Sequence, residues 1–296
     1  MSTRIGFVGF GEVASSFTPP MKKQGATIAV YDILLSQPGG REILQGRVKT
    51  EGITFAPLEE VIKHSEYILS TVTTQVARKV AAECAQHLRA GQVFLDLNSC
   101  SPSVKAEIAR IIEPSGAGFV EGAILGAVGA TGAQTQVLLG GTRGREAAET
   151  LSQLGLKVAF YSPEVGKAST FKMLRSIFSK GLEALILELL VAGKRAGMEM
   201  DLWRDIVDLM TKNPFDRVAS NWVQTHAVAY ERRYHEMRQV VETMREIGVE
   251  PVMTAGTEAF FARALSMGLN EAFPVKPESV EAVVDYMEQR LRHIEG

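Results

Sequence analysis

The chain is poor in cysteine, in basic excess and in long apolar runs, and each shortage removes a class of protein. Two cysteines, Cys84 and Cys100, stand among 296 residues. They cannot build a disulfide framework, and no Cys-x-x-Cys pair suggests zinc or thiol redox chemistry. They suit a reducing cytoplasm. The opening residues, Met1-Ser2-Thr3-Arg4-Ile5-Gly6, lack the charged region, apolar stretch and cleavage site of a secretory signal, so a cytoplasmic location is expected. Lys and Arg number 32 against 34 Asp and Glu, a net charge of -2, which gives no support to nucleic-acid binding. The longest helical apolar stretch, 182–191, carries Glu183 and Glu188 and falls short of the ~20 residues that cross a bilayer. No membrane partner is expected. The histidines His64, His87, His226, His235 and His293 show no His-x-x-x-His spacing, so no metal is expected, and a Gly-x-Ser-x-Gly elbow is also missing.

What is present describes a globular chain, 46% apolar and 22% charged, long enough for two packed domains. Residues 1–163 alternate β-rich runs (5–9, 27–31, 67–72, 92–97, 119–124, 136–139 and 157–161) with helical or turn-rich segments. That rhythm predicts an α/β fold, a Rossmann-type doubly wound, mainly parallel sheet. From 164 to 296 the β-branched runs vanish and helical spacing takes over, as in 167–195, 202–210 and 230–247, which predicts an all-α domain.

The opening strand leads into Gly9-Phe10-Gly11-Glu12-Val13-Ala14. Gly9 permits a tight turn, Gly11 lets a pyrophosphate approach the backbone, and Ala14 allows close helix packing. Gly9, Phe10, Gly11, Glu12 and Val13 are therefore the expected cofactor-binding turn. The next strand ends at Asp32, 23 residues after Gly9, where an acidic side chain meets the adenosine ribose. No arginine follows Asp32 until Arg41, so NAD is favoured over NADP. Pro19-Pro20 falls inside the first crossover helix and predicts a kink or early end there.

In the segment 163–195, Phe171, Met173, Leu174, Ile177, Phe178, Leu182, Leu185, Ile186, Leu189 and Leu190 cover much of a helix, as burial requires. Ser169, Lys172, Ser176, Ser179 and Glu183 form one polar stripe at steps of three or four. Lys172 can be a snorkelling lysine whose stem covers apolar surface. Near apolar walls its ammonium can instead lose affinity for its proton and serve as the acid/base of a hydride transfer, and it is the expected catalytic residue.

These residues resemble the β-hydroxyacid dehydrogenase superfamily, which includes 6-phosphogluconate and 3-hydroxyisobutyrate dehydrogenases, over nearly the whole chain. The resemblance rests on 6–14, on Ser70-Thr71-Val72-Thr73-Thr74-Gln75-Val76, on Asp96-Leu97-Asn98-Ser99-Cys100-Ser101-Pro102, and on 166–176 against the family pattern Gly-x-Gly-x-x-x-Lys-x-x-x-Asn. It implies that Lys172 is catalytic, that Thr71, Val72, Thr73 and Val76 line the cofactor, that Ser99 lies near the nicotinamide and touches substrate, and that copies associate as homodimers or tetramers. Three departures stand out. The family loop Asp-Ala-Pro-Val-Ser-Gly-Gly is here Glu121-Gly122-Ala123-Ile124-Leu125-Gly126-Ala127, with Leu125 replacing the substrate-binding serine. Ser176, beside Arg175, replaces the asparagine, and His235-Glu236-Met237 is a weak match to the family's late Lys-Asp-Leu.

Leu125, Gly126, Arg175, Ser176, Arg233 and His235 are the remaining candidate substrate residues. Arg233 can present a planar fork to an anion, although a charged helix face pairing Arg232 with Glu231 or Glu236 explains the same segment. The implied activity is an NAD-dependent dehydrogenase acting on a hydroxy acid or related alcohol or carbonyl, its site lying where the Lys172 helix meets the carboxyl ends of the strands. An imine or amine oxidoreductase of the same fold, or a catalytically silent NAD(H)-binding sensor, are the competing readings.

Overall fold

Runs of β-branched and aromatic residues separated by glycine turns build the sheet expected from the sequence. The structure is a computed structural model describing residues 2–295, and the chain divides into two compact units, the first ending at Ile177 and the second beginning at Phe178. Among the described residues the first unit holds eight strands, β1 (Arg4–Val8), β2 (Thr27–Tyr31), β3 (Ile53–Phe55), β4 (Tyr67–Ser70), β5 (Val93–Asp96), β6 (Gly118–Ile124), β7 (Val137–Gly140) and β8 (Val158–Ser162), in the order β3-β2-β1-β4-β5-β6-β7-β8. All neighbours are parallel except β6 and β7. The helices α1 (Glu12–Lys23), α2 (Gly40–Gly46), α3 (Leu58–His64), α4 (Ala77–Ala85), α5 (Pro102–Ile112), α6 (Val128–Thr131) and α7 (Gly144–Gln153) connect the strands.

Alternation along each strand feeds two cores. Phe7, Leu69 and Leu95 join Phe17 and Met21 of α1 and Leu151 of α7 on one face. Their chain neighbours Val8, Ile68 and Phe94 join Ile62 of α3 and Ile108 and Ile112 of α5 on the other. Two buried faces are what a parallel sheet wrapped by helices requires, and each fully buried Phe or Ile contributes about 1.5–3 kcal/mol.

The expectation of an early end at the two prolines is not met. Helix α1 runs unbroken to Lys23 with Pro19 and Pro20 inside it. Each proline lacks the N–H that would donate to the carbonyl four residues back, so two backbone bonds are forfeited, and the burial of Ala14, Phe17 and Met21 holds the helix against that loss.

Helix α8 (Lys167–Arg195) begins in the first unit and continues into the second. The second unit is otherwise α9 (Glu199–Lys212), α10 (Phe215–Glu246), α11 (Val252–Leu265), α12 (Leu269–Ala272) and α13 (Val280–Glu295). Its small core joins Tyr230 to Ala264, Met267 and Leu269. The apolar cover of α8 does not behave as a buried helix. Leu174, Ile177, Phe178 and Leu187 are 60%, 72%, 55% and 58% exposed in the single chain.

Candidate active site

Strand β1 ends at Val8 and the chain turns at Gly9, whose φ of 91° belongs to the left-handed region. A Cβ there would lie 2.8 Å from the Thr71 carbonyl oxygen, so only glycine fits. The Thr71 hydroxyl donates to the Gly9 carbonyl at 2.7 Å and fixes the turn from the end of β4. At Gly11 nothing lies within 4 Å of the point a Cβ would occupy, which leaves open space in front of the N-terminal turn of α1. Unpaired helical N–H groups facing such a space suit a pyrophosphate, and the turn therefore fits a dinucleotide. Asp32 stands beside it. Its Oδ2 accepts from the Phe10 amide at 2.7 Å and its Oδ1 from the Leu34 amide at 2.9 Å, which aims the carboxylate while leaving lone pairs for ribose hydroxyls. Glu12, opening α1, lies against Gly129 of α6, where a Cβ would meet its Oε1 at 2.5 Å.

The loop after β5 supplies the second part. Lys172 donates from Nζ to Ser99 Oγ at 2.7 Å, and the Thr74 hydroxyl donates to the Ser99 carbonyl at 3.2 Å. The loops after β1, β4 and β5 are thereby linked in sequence, Gly9 to Thr71, Thr74 to Ser99, and Ser99 to Lys172. They meet at the carboxyl ends of central strands, where open α/β sheets bind ligands. Leu125 packs with Ala123, Leu138 and Ala168, the last of these on the first turn of α8. Gly126 follows it at a φ of 150°. Ser176 donates its hydroxyl back to the Lys172 carbonyl at 3.0 Å, and Arg175 is exposed.

The family model described as the NAD binding domain of 6-phosphogluconate dehydrogenase matches residues 4–176. The chain belongs to that family. It is thus a member of the β-hydroxyacid dehydrogenase superfamily with an NAD(P)-binding domain, and residues 194–264 match a domain of unknown function, DUF1932. The chain is 20% identical to 2-(hydroxymethyl)glutarate dehydrogenase of Eubacterium barkeri over 97% of its length and 96% of the relative's. A solved conserved protein of unknown function, described as structurally similar to 3-hydroxyacid dehydrogenases, is 30% identical over 91% of this chain and 97% of its own, with a TM-score of 0.59. The fold is also that of an imine reductase from Myxococcus stipitatus. Its V8 variant with NAD+ gives a TM-score of 0.77 at 16% identity over 97% of this chain and all of that one, and a complex with NADP+ gives 0.74 at 17% identity over 90% and 95%.

In this 6-phosphogluconate dehydrogenase-like chain, Arg233 and His235 lie in the helical unit. The Arg233 guanidinium donates to the Trp222 carbonyl at 3.2 Å and the Thr225 hydroxyl at 2.7 Å. It borders an apolar cavity of about 580 Å³ with Trp222, His226, Phe260, Phe261 and Met287. Arg232 pairs with Glu236, and His235 is exposed.

Three charged groups to which the sequence alone gave no role stand close to the loops of the site. The Lys105 ammonium, 1% exposed, lies 3.0 Å from Asp96 Oδ2 and donates to the carbonyls of Asp96, Asn98 and Gly122 at 2.6, 2.8 and 3.3 Å. Its signal was a lysine in register with Ile108 and Ile112 on the apolar stripe of α5. Glu121 is fully buried and accepts from the Gly166 and Ala168 amides and the Ser169 hydroxyl. Arg47, just past α2, donates to the Phe10 carbonyl at 3.1 Å, so an arginine other than Arg41 flanks the cofactor turn, a return that only the fold reveals. Cys100 beside Ser99 is buried, and burial followed by the Asp96 charge pushes its thiol up against the opposing pull of Lys105, Arg78 and Lys172, which keeps it protonated. Among the described residues no cluster of three metal-ligating side chains occurs, and no helix is long and apolar enough to cross a membrane.

Proposed function

We propose that this chain is a nicotinamide-dependent oxidoreductase moving a hydride between NAD(H) and a hydroxy acid or related alcohol or carbonyl, with Lys172 as general acid/base. The reading is carried by the 2.7 Å bond from Lys172 Nζ to Ser99 Oγ at the mouth of the sheet. When bound, the nicotinamide supplies or accepts the hydride. Lys172 delivers a proton to the substrate oxygen in reduction and takes it back in oxidation. Ser99, already bonded to the amine, shares that oxygen and orients it. The residues from Gly9 to Val13 hold the pyrophosphate, Asp32 the adenosine ribose, and Thr71, Val72, Thr73 and Val76 the adjoining wall. Asp32 favours NAD, since a carboxylate repels a 2′-phosphate. Leu125, Gly126, Arg175 and Ser176 border the substrate.

Replacing Lys172 by Ala should lower turnover by roughly 10²- to 10⁴-fold and leave NADH binding, followed by fluorescence, nearly unchanged. Retained turnover refutes the assignment. A specific observation supports a second reading: Leu125, partly buried against Ala123, Leu138 and Ala168, puts an apolar side chain where the family's serine would hold a carboxylate, which suits a less polar substrate such as a cyclic imine. Oxidation of NADH by imines but not by the carbonyl partners of hydroxy acids would decide for it.

The proposal includes a cytoplasmic location, in keeping with two free thiols. It also includes a homodimer or tetramer. Exposed Leu174, Ile177, Phe178, Leu187 and Val191 on α8 exceed the scattered apolar surface of a monomer. Sedimentation equilibrium returning the 32.2 kDa monomer mass at micromolar concentration would reject this part.

A further inference from the structure

We propose that Glu121 is the positioning residue for Lys172, its buried carboxylate bonding the first turn of α8 to strand β6 and so holding Nζ at Ser99. The inference rests on the reading of Lys172 as acid/base. The Glu121 Oε1 accepts from the amides of Gly166 and Ala168 at 2.7 and 3.0 Å, and Oε2 accepts from the Ser169 hydroxyl at 2.5 Å. A helix start leaves such N–H groups without partners and carries partial positive charge. A local serine or aspartate cap would satisfy them equally well. A carboxylate from a strand does something more, because it fixes the helix to the sheet. The sheet makes room for it: Glu121 pairs with Gly140 of β7, and a Cβ on Gly140 would stand 2.6 Å from Glu121 Oε1.

Strand β6 also fixes the other member of the pair. Gly122, the next residue, gives its carbonyl to Lys105, whose ammonium holds the Asp96 and Asn98 carbonyls immediately before Ser99. The serine loop and the lysine helix thus take their positions from consecutive residues of one strand. Lys172 follows Ala168 by little more than one turn, ~6 Å along the axis at 1.5 Å per residue. A shift of the first turn is therefore passed to Lys172 by a rigid segment.

The test compares Glu121→Ala and Glu121→Asp with Glu121→Gln. Gln keeps the one oxygen that accepts from both amides, whereas Asp is one methylene too short and Ala removes the acceptor. In crystal structures of the Ala and Asp variants the Nζ to Oγ separation should exceed hydrogen-bond length, and turnover should fall on the order of a hundredfold, as for misplacements of about 1 Å. NADH affinity should stay within about twofold, since the glycine turn is untouched. Gln should restore the bond and most of the turnover. If the Ala variant does not fold, the Asp variant and Ser169→Ala, which removes one of the donors to Glu121, carry the comparison. Folded Ala or Asp variants that keep the 2.7 Å bond overturn the proposal, and so does a Gln variant as impaired as Ala. Normal turnover in Lys172→Ala would remove the acid/base reading alone, because the separation measured in the Asp variant decides the positioning role independently.

Discussion

Substituting Lys105 by Met isolates the energetics of the buried pair beneath Ser99. Methionine reproduces the aliphatic stem and removes only the ammonium, so little apolar packing is lost. What remains is an Asp96 carboxylate with no exposure that has lost a cation 3.0 Å away, and three carbonyls, of Asp96, Asn98 and Gly122, each short of a donor. Breaking one side of a buried pair costs about 3–5 kcal/mol, a large share of the ~5–15 kcal/mol that holds a domain together. Adding Asp96→Asn removes the stranded charge while keeping the acceptor used by the Asn98 amide. The double variant should therefore recover about 1–3 kcal/mol relative to additivity. The assay must report on the first unit. Both tryptophans, Trp203 and Trp222, lie in the helical unit, so tryptophan fluorescence would miss the event, and native-state hydrogen exchange of the β5 and β6 amides is the appropriate measurement. A single variant within about 1 kcal/mol of the parent, or a double variant additive within about 0.5 kcal/mol, would refute a real ion pair at this place.

Two further outcomes are expected. Asp32→Ala should weaken NADH binding and narrow the gap between NADH and NADPH by about 1–2 kcal/mol of lost charged hydrogen bonding and relieved repulsion, read as the ratio of the two dissociation constants; an unchanged ratio removes Asp32 from the ribose site. His226 has its pKa lowered by burial, then by the Arg233 charge. The unfolded chain therefore takes the proton first. Above the unperturbed value of about 6.5 this group leaves stability untouched; below it stability falls by at most about 1.4 kcal/mol per pH unit and levels off below the folded pKa. Urea midpoints from tryptophan fluorescence at pH 7.5 and 5.5 should show this loss, diminished in His226→Phe, and equal slopes in the two proteins would count against it.

Much of the sheet could be read from residue order because β-branched runs between glycine turns have a period and a length that helices do not share. Strand β3 escaped notice since Ile53–Phe55 has only three residues, none buried. Helix α10 begins at Phe215, well before the apolar spacing near 230 announces it, and Pro214 at its start was the available sign. The glycine turn, Asp32 and Lys172 stood out by residue type and spacing, whereas Ser99 was singled out through the family resemblance alone. Glu121 and Lys105 were not, because a buried charge is recognised by its partners, and those lie 45 to 48 and 7 to 17 residues away in the chain. Periodicity likewise shows that α8 is apolar without showing what covers it.

The reversal of β7 has a consequence for how such a pocket can diversify. A parallel neighbour of β6 would need a crossover long enough to return along the whole sheet, whereas an antiparallel one needs only a return bend. The stretch 125–136, which opens with Leu125, makes that bend. Insertions or deletions in it would change the surroundings of Leu125 while every strand kept its partner, so the candidate site can diversify by loop length with the Gly9 turn and the bond between Lys172 and Ser99 left in place.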